Sequence, residues 1–402
     1  MGERRHFDNP FPPYNEEMTL LGPDGKIEES LKKKLTDNVN HLLSVMKEGI
    51  KTQDSNDFSV YTGISGISLL YLHLYKAGPL KNDSQQLLEA VKYIKRPLRH
   101  LKKHRVTFLC GDAGPLAIGA VLYSMLGETS DSEDCLRRLY NLQHKVMQDE
   151  SLPDELLYGC VGYLFALLFI QHYLGKDAVD QNVILQVCHK ILKSGQQTAH
   201  RQHSKCPLMY EWHDKNYFGA AHGLCGIFYI LMKVDAPSLK SQIEELVRPS
   251  IDYMLNLQFP SGNCPSSYGS TTDKLVHWCH GAPGWIHMFA LAYQKFQQDK
   301  YLNAAKQCAE VIWQRGLLQK GYGICHGTAG NAYAFLLMFK LTGEKSYLYK
   351  AIKFAEWCFD YGKHNCRTPD RPFSLFEGMA GTIYFMADLM DPSNAKFPAF
   401  DL

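Results

Sequence analysis

The sequence predicts an all-α protein, an α/α toroid in which a ring of seven inner helices is enclosed by a ring of seven outer helices. A Gly-x-x-Gly phrase followed by an apolar and aromatic run recurs seven times. Its first glycines are 48, 48, 64, 58, 46 and 51 residues apart, a period that fits two helices and their connections. Between the copies lie amphipathic stretches with charges on one side. A hairpin made of one apolar and one amphipathic helix cannot bury its own apolar face, and seven of them close most simply into a ring.

Taken in order, residues 1–30 read as a partly irregular N-terminal segment of a single domain spanning residues 1–402. The copies then begin at Gly63 and Gly66, Gly111 and Gly114, Gly159 and Gly162, Gly223 and Gly226, Gly281 and Gly284, Gly327 and Gly330, and Gly378 and Gly381. The runs after them, such as Tyr163 to Ile170 and Ala332 to Phe339, are apolar nearly all round, as a helix buried on both sides requires. Leu302 to Leu317 and Tyr347 to Tyr361 instead place apolar residues three and four apart, as an outer helix does. Glycine at the loop-to-helix junction lets backbones approach closely and leaves helix N-terminal N–H groups uncovered at one end of the ring. The alternative, an open superhelical array, would need a polar concave face, and the inner runs supply none.

With 45% hydrophobic and 21% charged residues, 402 residues are ample for a large core and too regular for disorder. At about 150 residues per domain the length suggests two or three domains, but one closed ring also absorbs it. The formal charge of +2 disfavours nucleic acid as a partner. No apolar run approaches the ~18–20 residues of a membrane helix, and the N-terminus lacks a signal-peptide core. A cytoplasmic protein is expected, with partial membrane association, peripheral contact or nuclear residence left open. Gly2 invites a myristoylation reading, yet His6 stands where Ser or Thr belongs. Twelve cysteines without a C-x-x-C pair read as reduced thiols, some of them available as metal ligands.

In a closed ring the residues just before each first glycine converge. They are Thr62, Cys110, Tyr158, His222, His280, His326 and Glu377, a set that packing alone does not select. Two copies carry adjacent Cys-His pairs, Cys279-His280 and Cys325-His326. Thiolate and imidazole together point to Zn²⁺. Three ligands with an open fourth position make a catalytic site, and all four make a Cys2His2 structural one; the spacing does not choose between them.

The motifs Thr107-Phe-Leu-Cys-Gly-Asp-Ala-Gly114, Ala220-Ala-His-Gly223, His277-Trp-Cys-His-Gly281, Gly323-Ile-Cys-His-Gly327 and Ser374-Leu-Phe-Glu-Gly-Met-Ala-Gly381 give the chain a resemblance to the LanC-like proteins, eukaryotic relatives of bacterial lanthionine cyclases. It runs from Asn9-Pro-Phe-Pro to Phe397-Pro-Ala-Phe-Asp-Leu402 and is similar to both vertebrate types, 1 and 2. The resemblance implies a double barrel of seven plus seven helices and zinc on Cys279, Cys325 and His326, with His280 as a neighbour of the metal shell or a structural residue. It implies His222 as acid/base, with Lys320 and Arg4 counted beside it as catalytic residues, Lys320 and the stretch Arg367, Thr368, Pro369 and Asp370 as glutathione contacts, and Arg4 as a further basic residue of that pocket. Trp285 and Cys225 depart from the smaller or aliphatic residues expected beside the motifs.

The expected chemistry is addition of the glutathione thiol to dehydroalanine or dehydrobutyrine residues in proteins, a transferase reaction that a bound zinc assists by lowering the thiol pKa. Two rivals are weighed. One is a glutathione-binding signalling or adaptor protein without turnover, for which Pro10-Phe-Pro-Pro13 offers an SH3-type ligand. The other is a carbohydrate hydrolase with Asp112 and Glu377 as paired carboxylates, a scheme in which the Cys-His pairs have no job.

Overall fold

The structure, a computed structural model, describes residues 4–23, 25–52, 56–102 and 104–402; Gly2 and the lipidation motif lie outside them. Among the described residues fourteen helices form the barrel. The outer ring is α1 (Glu29–Ile50), α3 (Ser84–Arg99), α5 (Thr129–Gln148), α7 (Gln181–Arg201), α9, α11 (Asp299–Arg315) and α13 (Lys345–Phe359). The inner ring is α2 (Ile64–Lys76), α4 (Ala113–Met125), α6 (Cys160–Leu174), α8 (Leu224–Lys233), α10 (Ala282–Phe296), α12 (Thr328–Thr342) and α14 (Met379–Leu389). Helix α9 runs in three pieces, Lys240–Gln242, a π-helical Ile243–Val247 and Arg248–Leu255. Pro249 explains the middle piece: it has no N–H to give the preceding turn, and a wider turn absorbs the mismatch.

Each inner helix packs on the outer helix that follows it, except α14, which packs on α1, so the first and last helices complete the seventh pair. Every inner helix touches both ring neighbours, including α14 against α2. The ring is therefore closed, as the repeat predicts, and the open array is excluded. Inner helices are buried on all sides, α6 from Cys160 to Ile170 without a break. Outer helices bury one stripe, in α1 Leu31, Leu35, Val39, Leu42, Leu43 and Met46. Asp83 and Asp180 cap α3 and α7 through the amides of Gln85 and Asn182, the usual answer to unpaired first-turn N–H groups.

Glycine caps six of the seven inner helices. The second glycine of every copy faces a carbonyl six residues earlier, as Gly66 faces Val60 and Gly330 faces Ile324, and a β-carbon would collide with it. That close approach is what the recurring glycine is for.

At the other end of the barrel the C-terminal segment folds inward. Phe397 stacks on Trp278 with centroids 5.1 Å apart, and Phe400 on Tyr229 at 4.2 Å. The N-terminal segment lies along α11 and α13: Phe7 N–H donates to Leu317 O, Asn9 Nδ2 to Trp313 O, and Tyr349 Oη to Pro12 O. Pro10, Pro12 and Pro13 stay exposed. Among the described residues no helix is long and apolar enough to cross a membrane.

Candidate metal and thiol site

The loops before the inner helices are laced together at one end of the barrel. Cys279 N–H donates to Cys325 O (3.3 Å), Cys325 N–H to Phe376 O (2.8 Å), Phe376 N–H to Tyr61 O (3.1 Å) and Tyr61 N–H to Leu109 O (3.0 Å). Each of these residues stands two positions before the first glycine of its copy. A second rule fixes four of the seven loops internally. The side chain four positions before that glycine accepts the amide three residues on: Ser59 from Thr62 (3.1 Å), Thr107 from Cys110 (3.2 Å), Glu155 from Tyr158 (2.5 Å) and Ser374 from Glu377 (3.3 Å). Such local side-chain bonds hold a turn that has no regular ladder.

This belt brings Cys279, Cys325 and His326 together, with one ligand atom from each all within 4.8 Å of one another. Both cysteines are buried. Tyr61 Oη donates to Cys325 Sγ at 2.7 Å. The Cys279 thiol is held well below its ordinary pKa by the hydrogen bond from Cys325, with His277 and His326 adding to it against the effect of burial. Cys325 is pushed up by burial and by Cys279. Two sulfurs sharing one proton beside an imidazole are a donor set that fits Zn²⁺. His280 lies outside the cluster, with its Nδ1 buried and unpaired.

His222 is beside this cluster, its ring 6.4 Å from that of His280. Its Nδ1 meets Glu155 Oε2 at 2.7 Å, and Glu155 is 2% exposed. Trp212 stacks on the imidazole at 4.3 Å, and the Tyr158 ring lies nearly parallel to both, 5.5 Å from Trp212 and 5.9 Å from His222. A carboxylate on one ring nitrogen and a parallel indole leave the imidazole one orientation, its Nε2 the free nitrogen.

Lys320, Arg367, Pro369 and Asp370 line a hollow of about 90 Å³ together with His326 and Glu377. Thr368, in the same stretch, is exposed and outside that lining. Arg367 Nη2 pairs with Asp370 Oδ1 at 3.1 Å. Gln319 joins three segments, giving its N–H to Arg5 O and accepting from Arg367 N–H, so Arg4 stands one residue from this junction. Its guanidinium is exposed, bonded to Asp8, and outside the lining of the hollow. Glu377 also borders a cleft of about 660 Å³ with Tyr61, Asp112, Lys102, Arg105 and Arg371. Cys225 and Trp285 are fully buried on α8 and α10, where Cys225 Sγ donates to Gly284 O; both are core residues.

Tyr61 and Glu155 are the site residues that sequence reasoning missed. The signal for Tyr61 is its column: it occupies the same repeat position as Cys279 and Cys325. Glu155 heads the loop that ends in Tyr158, in the column of Ser59, Thr107 and Ser374.

A family profile described as lanthionine synthetase C-like protein matches residues 54–402. Over 408 aligned residues spanning both chains completely, this chain is 48% identical to a Danio rerio protein named glutathione S-transferase LANCL1. It is 33% identical over 363 residues to the LanC-like protein GCL1 of Arabidopsis thaliana, covering 86% of this chain and 82% of that one. The structure of nisin cyclase superposes with a TM-score of 0.65 at 16% identity, over 90% of this chain and 94% of its own length, and so shares the fold. Profile, full-length relatives and barrel agree with the Cys-Cys-His cluster, and the chain belongs to the lanthionine synthetase C-like family.

Proposed function

We propose that the protein adds the thiol of glutathione to dehydroalanine and dehydrobutyrine residues of proteins, with Zn²⁺ held by Cys279, Cys325 and His326. The observation that carries this reading is the convergence of two thiols and an imidazole within 4.8 Å at the wall of a hollow that also holds Lys320 and Arg367. The name of the Danio rerio relative supports glutathione as the thiol. Zinc bound there would favour the thiolate form of an incoming thiol at neutral pH.

The chain's own residues do the rest. Lys320 and Arg367 offer cations to the two glutathione carboxylates, and Asp370 offers an acceptor to its ammonium group. The 660 Å³ cleft beside Glu377 is open enough for an extended peptide carrying the alkene. In the reaction the sulfur bonds to Cβ, the π pair moves onto Cα and the carbonyl, and Cα then takes a proton. His222, fixed by Glu155 through Nδ1, gives that proton from Nε2 and recovers one from solvent, a role worth about 10²–10⁴-fold in rate. The same buried Glu155–His222 pair favours turnover over a binding protein, which needs no oriented proton donor. All twelve cysteines are free thiols, which supports a reducing compartment such as the cytosol.

The test is elemental analysis of the purified protein combined with single-turnover addition of glutathione to a dehydroalanine peptide. One zinc per chain and one adduct per active site are expected, with both lost in Cys325→Ala. Full addition by Cys279→Ala or by metal-stripped protein refutes the assignment.

A further inference from the structure

The barrel end opposite the Gly-x-x-Gly loops carries a second polar compartment that the thiol chemistry does not use. A cavity of about 420 Å³ opens there between the C-terminal ends of α2, α6 and α14 and the chain's last residues. Phe165, Phe169, Tyr173 and Tyr384 form aromatic walls, and Lys76, His172 and Lys396 bring basic groups to it. Its volume is that of a small-molecule pocket. Asp401 and Leu402 divide it from a neighbouring cavity of about 250 Å³ lined by Lys233, His287 and Lys340.

Two of the three aspartates on the lining are engaged by basic groups, and the third, Asp391, accepts Asn394 Nδ2 at 2.9 Å. Asp401 takes Lys233 at 2.5 Å and Lys340 at 3.9 Å, and accepts Tyr229 Oη at 3.1 Å. Asp388 takes His73 at 3.0 Å and Tyr333 Oη at 2.8 Å. Lys76 and Lys396 have no carboxylate within ion-pair distance among the described residues, and the Lys76 ammonium lies 4.2 Å from the centroid of the Tyr173 ring. Cations at helix C-termini are ordinary, since they complement the helix dipole, and that alone makes no site. The independent observation is the enclosure of these cations by a cavity with four aromatic rings in its wall; beyond Asp401, in the smaller cavity, lies His287. It is 2% exposed, and neither of its ring nitrogens has a hydrogen-bond partner, whereas buried polar groups are nearly always satisfied. Burial, with Lys396 and Lys76 nearby and Asp401 opposing them, pushes His172 down to about 4.

We propose that this cavity binds a small organic anion, a phosphate monoester or carboxylate with a planar apolar body, whose charge lies between Lys76 and Lys396 and whose body lies among Phe165, Phe169 and Tyr384. The site is separate from the thiol site and does not depend on its zinc.

The experiment is calorimetric titration of the full chain with phenyl phosphate, benzoate and inorganic phosphate, followed by side-chain NMR of the histidines. Phenyl phosphate is expected to bind at millimolar concentration or below and to move the signals of His73 and His172, which line the cavity. The double variant K76Q/K396Q should weaken it about tenfold or more while keeping the wild-type unfolding midpoint. Cys325→Ala should bind it as the wild type does. Benzoate binding with no response to inorganic phosphate would support a site that needs the ring as well as the charge. The proposal is overturned if neither aryl anion binds at millimolar concentration, if K76Q/K396Q binds like the wild type, or if Cys325→Ala abolishes binding, which would place the anion at the thiol end. Failure of the glutathione reaction leaves all of these outcomes readable.

Discussion

The hydroxyl of Tyr61 and the sulfur of Cys325 lie 2.7 Å apart although 264 residues separate them in the chain. The contact exists because Cys325 N–H is tied to Phe376 O and Phe376 N–H to Tyr61 O, while the Tyr61 ring stacks on Phe376 at 4.6 Å. Burial and the neighbouring thiols hold the phenol protonated, so it is the donor. A hydrogen bond of this kind orients a ligand sulfur and withdraws charge from it. Tyr61→Phe keeps the ring and loses the donor. It should fold normally and change zinc affinity about tenfold, read by competition with a chromogenic chelator. An unchanged affinity would mean that Tyr61 only packs there.

The ring was legible in the sequence because its cause is periodic. Seven glycine pairs are demanded by seven close approaches of backbone, and no tertiary knowledge is needed to count them. The two Cys-His pairs were legible for the same reason, as Cys279 and Cys325 stand in register with one another, but periodicity did not choose three of their four residues, a choice that rested on the family resemblance. Tyr61 shares that register, but tyrosine in an aromatic-rich chain does not announce a sulfur partner. Glu155 was harder, because its column mixes Ser59, Thr107 and Ser374 with Gly219, His277 and Gly323, and its reach to His222 depends on how two neighbouring loops are rotated. The inward fold of Phe397 and Phe400 was not legible, since it joins the end of the chain to Trp278 and Tyr229 through packing between elements far apart in sequence. The break in α9 could have been read from Pro249.

Glu155 closes its own loop through the amides of Leu157 and Tyr158 and fixes His222 with the same carboxylate. Glu155→Gln preserves an acceptor for the loop but removes the carboxylate that fixes the imidazole through Nδ1. The expected result is a fall in kcat of about 10²-fold, with zinc content and the KM for glutathione unchanged. A variant with wild-type kcat would show that His222 is not the proton donor, whereas a parallel loss of zinc would mean that the loop itself had collapsed.

The neighbouring Asp154 supplies a pH signature. Burial pushes its carboxyl up to about 7, against the hydrogen bond from Ser194 and the charge of Lys190. The unfolded chain releases this proton near pH ~4, so the native state holds a proton over that interval that the unfolded state has lost. The sign follows: this contribution to stability is fully present below the unfolded value and is lost as pH rises through about 7. Asp154→Asn cannot ionise. Relative to the wild type it should gain stability between pH ~5 and ~8, by at most ~1.4 kcal/mol per pH unit. Urea unfolding at the two pH values measures this, and a difference between the proteins that does not change with pH would contradict it.

The second glycine of each copy makes the most severe test of the fold. A β-carbon on Gly162 would strike Leu156 O and the Thr107 side chain, and two loops of the belt would have to part to admit it. Gly343 differs: its φ is +72° but nothing lies within 4 Å of the added carbon, so alanine there meets only local backbone strain of ~1 kcal/mol. Gly162→Ala should therefore cost more than Gly343→Ala, about 1–3 kcal/mol from overpacking. It should also loosen the hydrogen bond from Phe108 N–H to Gly162 O, seen as faster amide exchange at Phe108. Gly343→Ala should leave that amide protected. Equal losses of stability in the two variants would show that the repeated glycines serve backbone conformation alone, and that the close approach of loop to helix is not what selects them.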